Sequence, residues 1–147
     1  MVLDINEIQK LIPHRYPFLL IDRILEIDEG KRAVGIKNVT INDYFFQGHF
    51  PGKPIMPGVL MIECMAQLGA CALKQSESMK DKLLVITGVD RCRFRGTVEP
   101  GDQMRIEMEF SAMKMGMGKG KGKITVDGKR VCEAEIMFAA VDVQDSI

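Results

Sequence analysis

The stretch Gly58–Ser76, GVLMIECMAQLGACALKQS, decides the fold of this chain. Most of it is apolar, and the polar side chains in its core are Glu63 and Gln67. Pro57, directly before it, suits the first turn of a helix, where a missing N–H costs nothing. A helix that is hydrophobic on every side is a buried helix. The sequence therefore predicts one buried helix here, wrapped by a sheet.

The segments around this helix predict strands. The rules of alternation and turn chemistry place strands at Phe18–Asp28, Ala33–Thr40, Leu83–Phe94 and Met104–Ala112, with a hairpin of Lys123–Val126 and Val131–Val141 turned at Asp127-Gly128. A short first helix is expected over Asp4–Ile12, capped by Asp4 and ended by Pro13. One central helix with about five or six antiparallel strands curled round it is an α+β layout. The chain, residues 1–147, is expected to form a single domain.

The run Gly116–Lys123, GMGKGKGK, suggests a phosphate-binding loop at first sight. It contains neither G-x-x-x-x-G-K-[ST] nor a register that fits G-x-G-x-x-G. The favoured interpretation is an irregular or bulged strand with a solvated basic face. The alternative is a docking patch for an acidic partner.

Composition excludes several classes of protein. Twenty basic and twenty acidic residues cancel, so nothing favours a nucleic-acid partner. The longest apolar stretch is shorter than the roughly 20 residues that span a bilayer, and the first residues do not resemble a signal peptide. We expect no membrane association and a cytoplasmic location. The four cysteines form no C-x-x-C pair, which predicts reduced thiols and no zinc site.

His49 is the first candidate for chemistry. It lies in Asn42–Pro57, a segment whose glycines and prolines exclude regular structure and whose phenylalanines argue against disorder. Such long loops are usually functional. A neutral imidazole accepts a proton near pH 7 and is the usual general base. The alternative is a structural histidine.

Glu63 is the second candidate, because a glutamate is rarely buried without a partner. Gln67 lies four residues further on, so the two side chains share one helix face. One interpretation is a buried hydrogen bond that only holds the fold. The other is a carboxyl group in an apolar pocket, where desolvation favours the neutral form that acts as an acid.

The beginning of the same helix is a third candidate. The amides of Gly58 and Val59 have no intrahelical acceptor and lie at the positive end of the helix dipole. Gly58 lacks a Cβ, so a ligand carbonyl could approach closely. These amides are candidates for an oxyanion site. The alternative is that Pro57-Gly58 only begins the helix.

The segments that carry these residues resemble a known family. They are Leu11–Arg23 (LIPHRYPFLLIDR), Gly48–Leu60 (GHFPGKPIMPGVL) followed by Glu63, Ala66 and Gln67, then Phe94–Met104 (FRGTVEPGDQM) and Val126-Asp127-Gly128. Together they closely resemble the 3-hydroxyacyl-acyl-carrier-protein dehydratases of the FabZ family, over nearly the whole chain. The resemblance implies the hot-dog fold, an antiparallel sheet wrapped around one long helix, which agrees with the predicted layout.

The resemblance also implies a site and partners. It makes His49 and Glu63 the catalytic pair, contributed by different subunits across a homodimer, with dimers associating into a hexamer as a trimer of dimers. It implies no metal and no organic cofactor. The substrate is a (3R)-hydroxyacyl group on the phosphopantetheine arm of acyl carrier protein. His49 takes the C2 proton, and Glu63 protonates the departing C3 hydroxyl to give a trans-2-enoyl thioester in type II fatty-acid synthesis.

Other residues are expected to contact substrate or carrier. Gly58, Val59, Gln67 and Phe50 are assigned to substrate binding. Phe18, Phe45, Phe46 and Phe50 are candidates for the lining of an acyl tunnel, with core packing as an equal alternative. Arg91, Arg93, Arg95, Lys119 and Lys121 are candidates to meet the acidic carrier, with an ordinary solvated face as the alternative.

Three rival functions follow from the same pattern. A dehydratase that also isomerises the double bond is one, although relatives of that kind usually carry Asp where Glu63 stands. A hot-dog thioesterase is the second, and it would release a free thiol. A non-enzymatic acyl-binding module is the third, and it has no need of an acid–base pair.

Overall fold

The computed structural model describes residues 2–111 and 113–143 and has the predicted α+β layout. Its helices are α1 (Ile5–Leu11) and α2 (Gly58–Leu73), and its strands are β1 (Arg23–Asp28), β2 (Arg32–Asn38), β3 (Lys82–Phe94), β4 (Gln103–Phe110), β5 (Met117–Val126) and β6 (Lys129–Asp142). The strands form one antiparallel sheet in the order β1-β2-β4-β5-β6-β3. The hot-dog arrangement, a sheet packed around one central helix, is confirmed.

Helix α2 is buried against the concave side of the sheet. Its inward face is apolar, and the fully buried side chains of Met65 and Leu68 are among the largest in the core. Burying a side chain of this size contributes about 1.5–3 kcal/mol. The expectation that the helix is buried on every side is wrong for the single chain, because the sheet covers only one side. Val59 is 69% exposed, and Ile62, Glu63 and Ala66 are half-buried.

Strand β5 explains the glycine–lysine run. Its lysines point to solvent, and its glycines lie on the opposite side of the strand, where methionine side chains occupy the space that a Cβ would take. A Cβ on Gly122 would lie 2.5 Å from the sulfur atoms of both Met65 and Met108. The predicted exposure of the lysines is confirmed, but the face is mixed in charge, because Lys119 pairs with Glu135 and Lys123 with Glu107. The predicted beginning of this strand at Lys123 is wrong, since pairing starts at Met117.

The first strand is shorter than predicted. Strand β1 begins at Arg23 rather than Phe18. The reason lies in α2: the side-chain amide of Gln67 donates to the Phe18 carbonyl (2.7 Å) and accepts from the Leu20 amide (2.8 Å). These backbone groups therefore form hydrogen bonds with a helix side chain instead of with a neighbouring strand.

The long loop before α2 is firmly attached to the core. Lys37, only 4% exposed, reaches Asp43 at 3.2 Å, and the Asp43 carboxylate also accepts from the Thr40 amide at 3.0 Å. A short 3-10 helix, Tyr44–Gln47, follows, where the glycine and proline pattern predicted no regular structure. It buries Phe45 and Phe46, so these rings pack in the core, one of the two roles considered for them.

The helix ends agree closely with the sequence. Asp4 caps α1 by accepting from the Glu7 amide at 3.0 Å, as predicted. Helix α2 ends at Leu73, before the expected Ser76, and Pro57 is its N-cap residue instead of part of its first turn. The C-terminal end expected for the fourth strand, Ala112, lies outside the described residues. No helix in the described ranges is long and apolar enough to cross a membrane.

The four cysteines are free thiols, as expected. Burial raises the pKa of Cys71 and of Cys132 to about 12, and it moves the pKa of Cys64 further in the same direction. Since the thiolate is the reactive form, these three side chains are inert at neutral pH and serve the core.

Candidate active site

His49 is held by a short hydrogen bond that fixes its tautomer. Its Nδ1 lies 2.6 Å from the carbonyl oxygen of Ile55. Because a carbonyl oxygen only accepts, Nδ1 carries the proton, and Nε2 of the neutral ring keeps its lone pair. The imidazole is therefore set up to accept a proton at Nε2.

The backbone around His49 fixes the position of the ring. The His49 amide donates to the Phe45 carbonyl (3.1 Å), and its own carbonyl accepts from the Ile55 amide (3.0 Å). Phe50 and Lys53 exchange two backbone hydrogen bonds across the turn that follows. The Phe50 ring stacks on the imidazole at 4.0 Å between centroids and is 49% exposed. These contacts hold the ring half-buried beside open space.

Glu63 is paired with Gln67, as its spacing on the helix predicted. The Gln67 amide nitrogen donates to Oε2 of Glu63 at 2.9 Å. Gln67 is 1% exposed, and both ends of its side chain are bonded to the backbone of residues 18–20. The Glu63 side chain keeps 20% exposure. The glutamate is thus oriented by a rigid neighbour while still reaching a cavity.

That cavity is a cleft of about 350 Å³ between α2 and β3, lined by His14, Phe18, Glu63, Ala66, Gln67, Ala70, Leu84, Val85 and Ile86. A small apolar pocket lies beside this cleft and shares five of its lining residues: Ala66, Ala70, Leu84, Val85 and Ile86. Its other lining residues are Gly69, Leu73, Met108, Ile136 and Phe138. Glu63 therefore lies in a cleft whose inner end borders a small apolar pocket of about 20 Å³. Phe18 also lines this cleft, and its role in lining an acyl tunnel stays a prediction.

The beginning of α2 differs from the expectation in one respect. Pro57 supplies no side-chain cap, so the amides of Gly58 and Val59 keep their first-turn character. The space beside the Gly58 Cα, which was expected to admit a ligand carbonyl, is filled by the Phe94 ring. A Cβ there would lie 2.8 Å from that ring. Glycine at this position admits Phe94, and any carbonyl must approach the amides from another side.

In the described part of the chain, the cleft lined by Glu63 does not include His49. Within the described residues, no group of three or more His, Cys, Asp or Glu side chains is arranged to hold a metal ion. The chemistry available is therefore that of a tautomer-fixed imidazole and a cleft-facing carboxyl group.

The sequence reasoning missed His14 as a neighbour of Glu63. Its Nε2 lies 3.6 Å from Oε2 of the glutamate. The signal was present, because His14 is one of only two histidines in the chain and lies in the segment LIPHRYPFLLIDR. What was hidden is that the loop after α1 passes over the middle of α2.

Comparison with known proteins first gives the class. Residues 12–135 match the FabA-like domain family. Among solved structures, the dehydratase heterocomplex ApeI:P from Xenorhabdus doucetiae is similar, with a TM-score of 0.80 and 17% identity, covering 92% of this chain and 91% of that one. A hypothetical thioesterase with coenzyme A from Streptococcus pneumoniae has a TM-score of 0.61 and 13% identity, covering 81% and 84%. At these identities the likeness concerns the fold alone.

Sequence relatives then give the family. A protein named 3-hydroxyacyl-[acyl-carrier-protein] dehydratase FabZ from a Geobacillus strain is 60% identical over 141 residues, covering 96% of this chain and 97% of the relative. A protein of the same name from Bacillus anthracis is 53% identical over 144 residues, covering 98% of this chain and 100% of the relative. The chain belongs to the FabZ family of dehydratases, which are hydro-lyases.

Proposed function

We propose that this chain converts (3R)-hydroxyacyl-acyl carrier protein to trans-2-enoyl-acyl carrier protein in type II fatty-acid synthesis. The family supports the dehydration of a 3-hydroxyacyl thioester. The observation that carries the proposal here is the position of Glu63, a carboxyl group in a cleft that is otherwise lined mostly by apolar side chains. The cleft of about 350 Å³ is large enough for a small acyl group, whereas the apolar pocket behind it, of about 20 Å³, must widen to admit a longer chain.

His49 is the base in this proposal. Its free Nε2 takes the proton from C2 of the substrate, while the bond from Nδ1 to the Ile55 carbonyl stabilises the imidazolium that forms. The electron pair of the C2–H bond becomes the C2=C3 double bond. The cation is neutralised when the proton later leaves to solvent.

Glu63 is the acid. It donates a proton to the C3 hydroxyl as the C3–O bond breaks, so the oxygen departs as water and the carboxylate remains. Gln67 orients the carboxyl group through the bond to Oε2. The carboxylate takes a proton from solvent before the next turnover, as the imidazolium releases one, so the cycle balances without an oxidant or reductant.

The amides of Gly58 and Val59 are proposed to hold the thioester carbonyl. Negative charge develops on that oxygen as the C2 proton leaves, and amides at the positive end of a helix dipole stabilise it. Val59 is exposed at this end of the helix, and Phe50 covers one face of the base. Gln67 contributes through Glu63 and makes no direct contact with substrate in this proposal.

The complete site is proposed to form between two copies of the chain, with His49 of one facing Glu63 of the other. The single chain leaves a partly apolar face around the open side of α2, including Val59 and Phe94, which is 52% exposed. Strand β3 lies at one end of the sheet order and carries the exposed Ile86 and Val89. A two-fold dimer covers the same patch on both copies. Three such dimers would make the expected hexamer.

Acyl carrier protein is proposed to dock on the basic surface of β3 and β5. Two glutamates of β6 already pair with part of it: Glu135 with Arg91 (3.1 Å) and Lys119 (2.9 Å), and Glu133 with Arg95. The hydrogen bond with Lys119 is the main cause that lowers the pKa of Glu135, and the hydrogen bond with Arg95 is the main cause for Glu133. The charges of the neighbouring cations add to both effects. Within the described ranges, Arg93 and Lys121 make no ion pair within 4 Å, although Lys121 lies opposite Glu109 and Glu135 in the sheet, and these two cations are proposed to attract the carrier.

Carrier binding is expected to weaken as salt is added, because screening shortens the range of this attraction. Replacing Arg93 and Lys121 together by Glu should raise the KM for acyl carrier protein substrates by about tenfold or more. The KM for a short N-acetylcysteamine thioester, which carries no protein, should stay the same and is the control. Equal effects on both substrates, or no effect of salt, would reject this docking surface.

The reaction itself is tested by following the 2-enoyl chromophore on a (3R)-hydroxyacyl thioester. We expect reversible hydration and dehydration, with the trans-2-enoyl thioester as product. Accumulation of the 3-enoyl isomer would favour an isomerising dehydratase. Release of free thiol would favour a thioesterase, and binding without turnover would favour an acyl-binding module. Each of these outcomes would replace the proposed function.

A further inference from the structure

His14 lies against the candidate acid but has no role in the reaction described so far. It is in the loop after α1, and its neighbour Arg15 bonds to the carbonyls of Ile12 (2.9 Å) and His14 (2.7 Å), which fixes that loop. The imidazole stacks on Phe18 at 6.5 Å between centroids and is 26% exposed. It lines the same cleft as Glu63, so a half-buried titratable group faces the candidate acid.

The surroundings of the ring define its tautomer. Nδ1 is buried and has no hydrogen-bond partner among the described residues, while Nε2 lies 3.6 Å from Oε2 of Glu63. A proton on Nδ1 would leave a buried donor unsatisfied and would turn a lone pair towards the carboxyl oxygen. A proton on Nε2 points at that oxygen and leaves only an unsatisfied acceptor, which is the less costly defect. The neutral ring therefore carries its proton on Nε2.

The charge of the ring is also defined by its neighbours. Burial lowers the pKa of His14, Glu63 opposes this effect, and the cations Lys74 and Arg15 add to the lowering. A histidine with a lowered pKa stays neutral at pH 7. A neutral donor suits a proton-donating glutamate, because a cation at the same place would stabilise the carboxylate and oppose its protonation.

We propose that His14 is a positioning residue for Glu63, whose Nε2–H acts with the Gln67 amide to hold Oε2 and leave the transferable proton on Oε1. Both neighbours converge on Oε2. Oε1 has no hydrogen-bond donor among the described residues, so it is the oxygen free to face a substrate. The contact at 3.6 Å is longer than a hydrogen bond, and catalytic contacts of this kind commonly shorten when substrate binds. The inference rests on Glu63 being the acid.

Three substitutions of His14 separate positioning from packing. His14→Gln places an amide nitrogen where Nε2 was, His14→Asn places one where Nδ1 was, and His14→Phe keeps the ring without a donor. We expect kcat to fall by about tenfold or more in the Asn and Phe variants, with KM within about twofold. We expect the Gln variant to recover most of the turnover. If the Phe variant kept the parental kcat and the Gln variant lost it, His14 would have only a packing role and the proposal would be overturned.

A measurement on the unmodified chain guards against variants that fold poorly. The chain has only two histidines, so their ring nitrogens can be resolved by NMR. We expect neutral His14 to be protonated at Nε2 near pH 7, and a proton on Nδ1 would overturn the proposal. In the background of Glu63→Gln, His14→Phe should cost no further activity. Glu63→Gln with full turnover would reject the proposed function, whereas an inactive Glu63→Gln beside a fully active His14→Phe would reject only this inference.

Discussion

Replacing His49 by alanine should lower kcat for dehydration by about 10²- to 10⁴-fold, the usual effect of losing a general base. The reason is that Nε2 is the nitrogen left free by the bond from Nδ1 to the Ile55 carbonyl. Turnover of a (3R)-hydroxyacyl thioester measures the effect. Exchange of the C2 hydrogen with solvent, which requires the same base, should disappear with it.

A matched variant separates the base from the fold. His49→Asn keeps a side-chain N–H close to the position of Nδ1, so the contact with Ile55 can persist, but it has no group at the position of Nε2. We expect this variant to be folded, with a melting temperature close to that of the parent, and as inactive as His49→Ala. A near-normal rate in either variant would remove His49 from the mechanism.

Replacing Glu63 by glutamine should have an effect of the same size, about 10²- to 10⁴-fold on kcat, because the amide cannot donate the proton that the departing hydroxyl needs. Glutamine has nearly the same shape, and its carbonyl oxygen can still accept the bond from Gln67. The loss should appear equally in hydration and dehydration, since both directions pass through one transition state. Substrate binding should change little.

The control for this variant is Glu63→Asp. It retains a carboxyl group but withdraws it by one methylene from Gln67 and from the cleft. We expect activity between that of the parent and that of Glu63→Gln, because proton donation survives with poorer placement. If Glu63→Gln turned over at the parental rate, the carboxyl group would have only a structural role.

Much of the fold follows from local pattern. The apolar composition of Gly58–Leu73 located the central helix, and alternation located β4. The beginning of β1 could not be predicted, since it depends on Gln67, which lies far away in sequence and takes the backbone bonds of residues 18–20. The beginning of β5 was missed because glycines give no apolar alternation. Their value appears only when Met65 and Met108 fill the space beside them.

In the candidate site, too, some features could be predicted from the sequence and others could not. His49 and Glu63 stood out because each is an unusual residue for its surroundings, a histidine among glycines and prolines and a glutamate in an apolar helix. The Phe94 ring over Gly58 and the approach of His14 to Glu63 join distant segments, so no local spacing could reveal them. Sequence patterns identify residues that are unusual for their surroundings, whereas contacts between distant segments can be seen only in the folded structure.

The central claim is that one active site uses His49 from one chain and Glu63 from another. Its most direct test is a mixed dimer of a His49→Ala chain and a Glu63→Gln chain, co-expressed with different tags and purified through both. The single interface of such a dimer contains two active sites, one with both residues intact and one with neither. Although each variant alone is inactive, we expect activity well above that of either, up to about half of the parental value, because dimers of like chains within a mixed hexamer stay inactive. A mixed dimer as inactive as the two variants would contradict the claim, because it would place both residues of each site on the same chain.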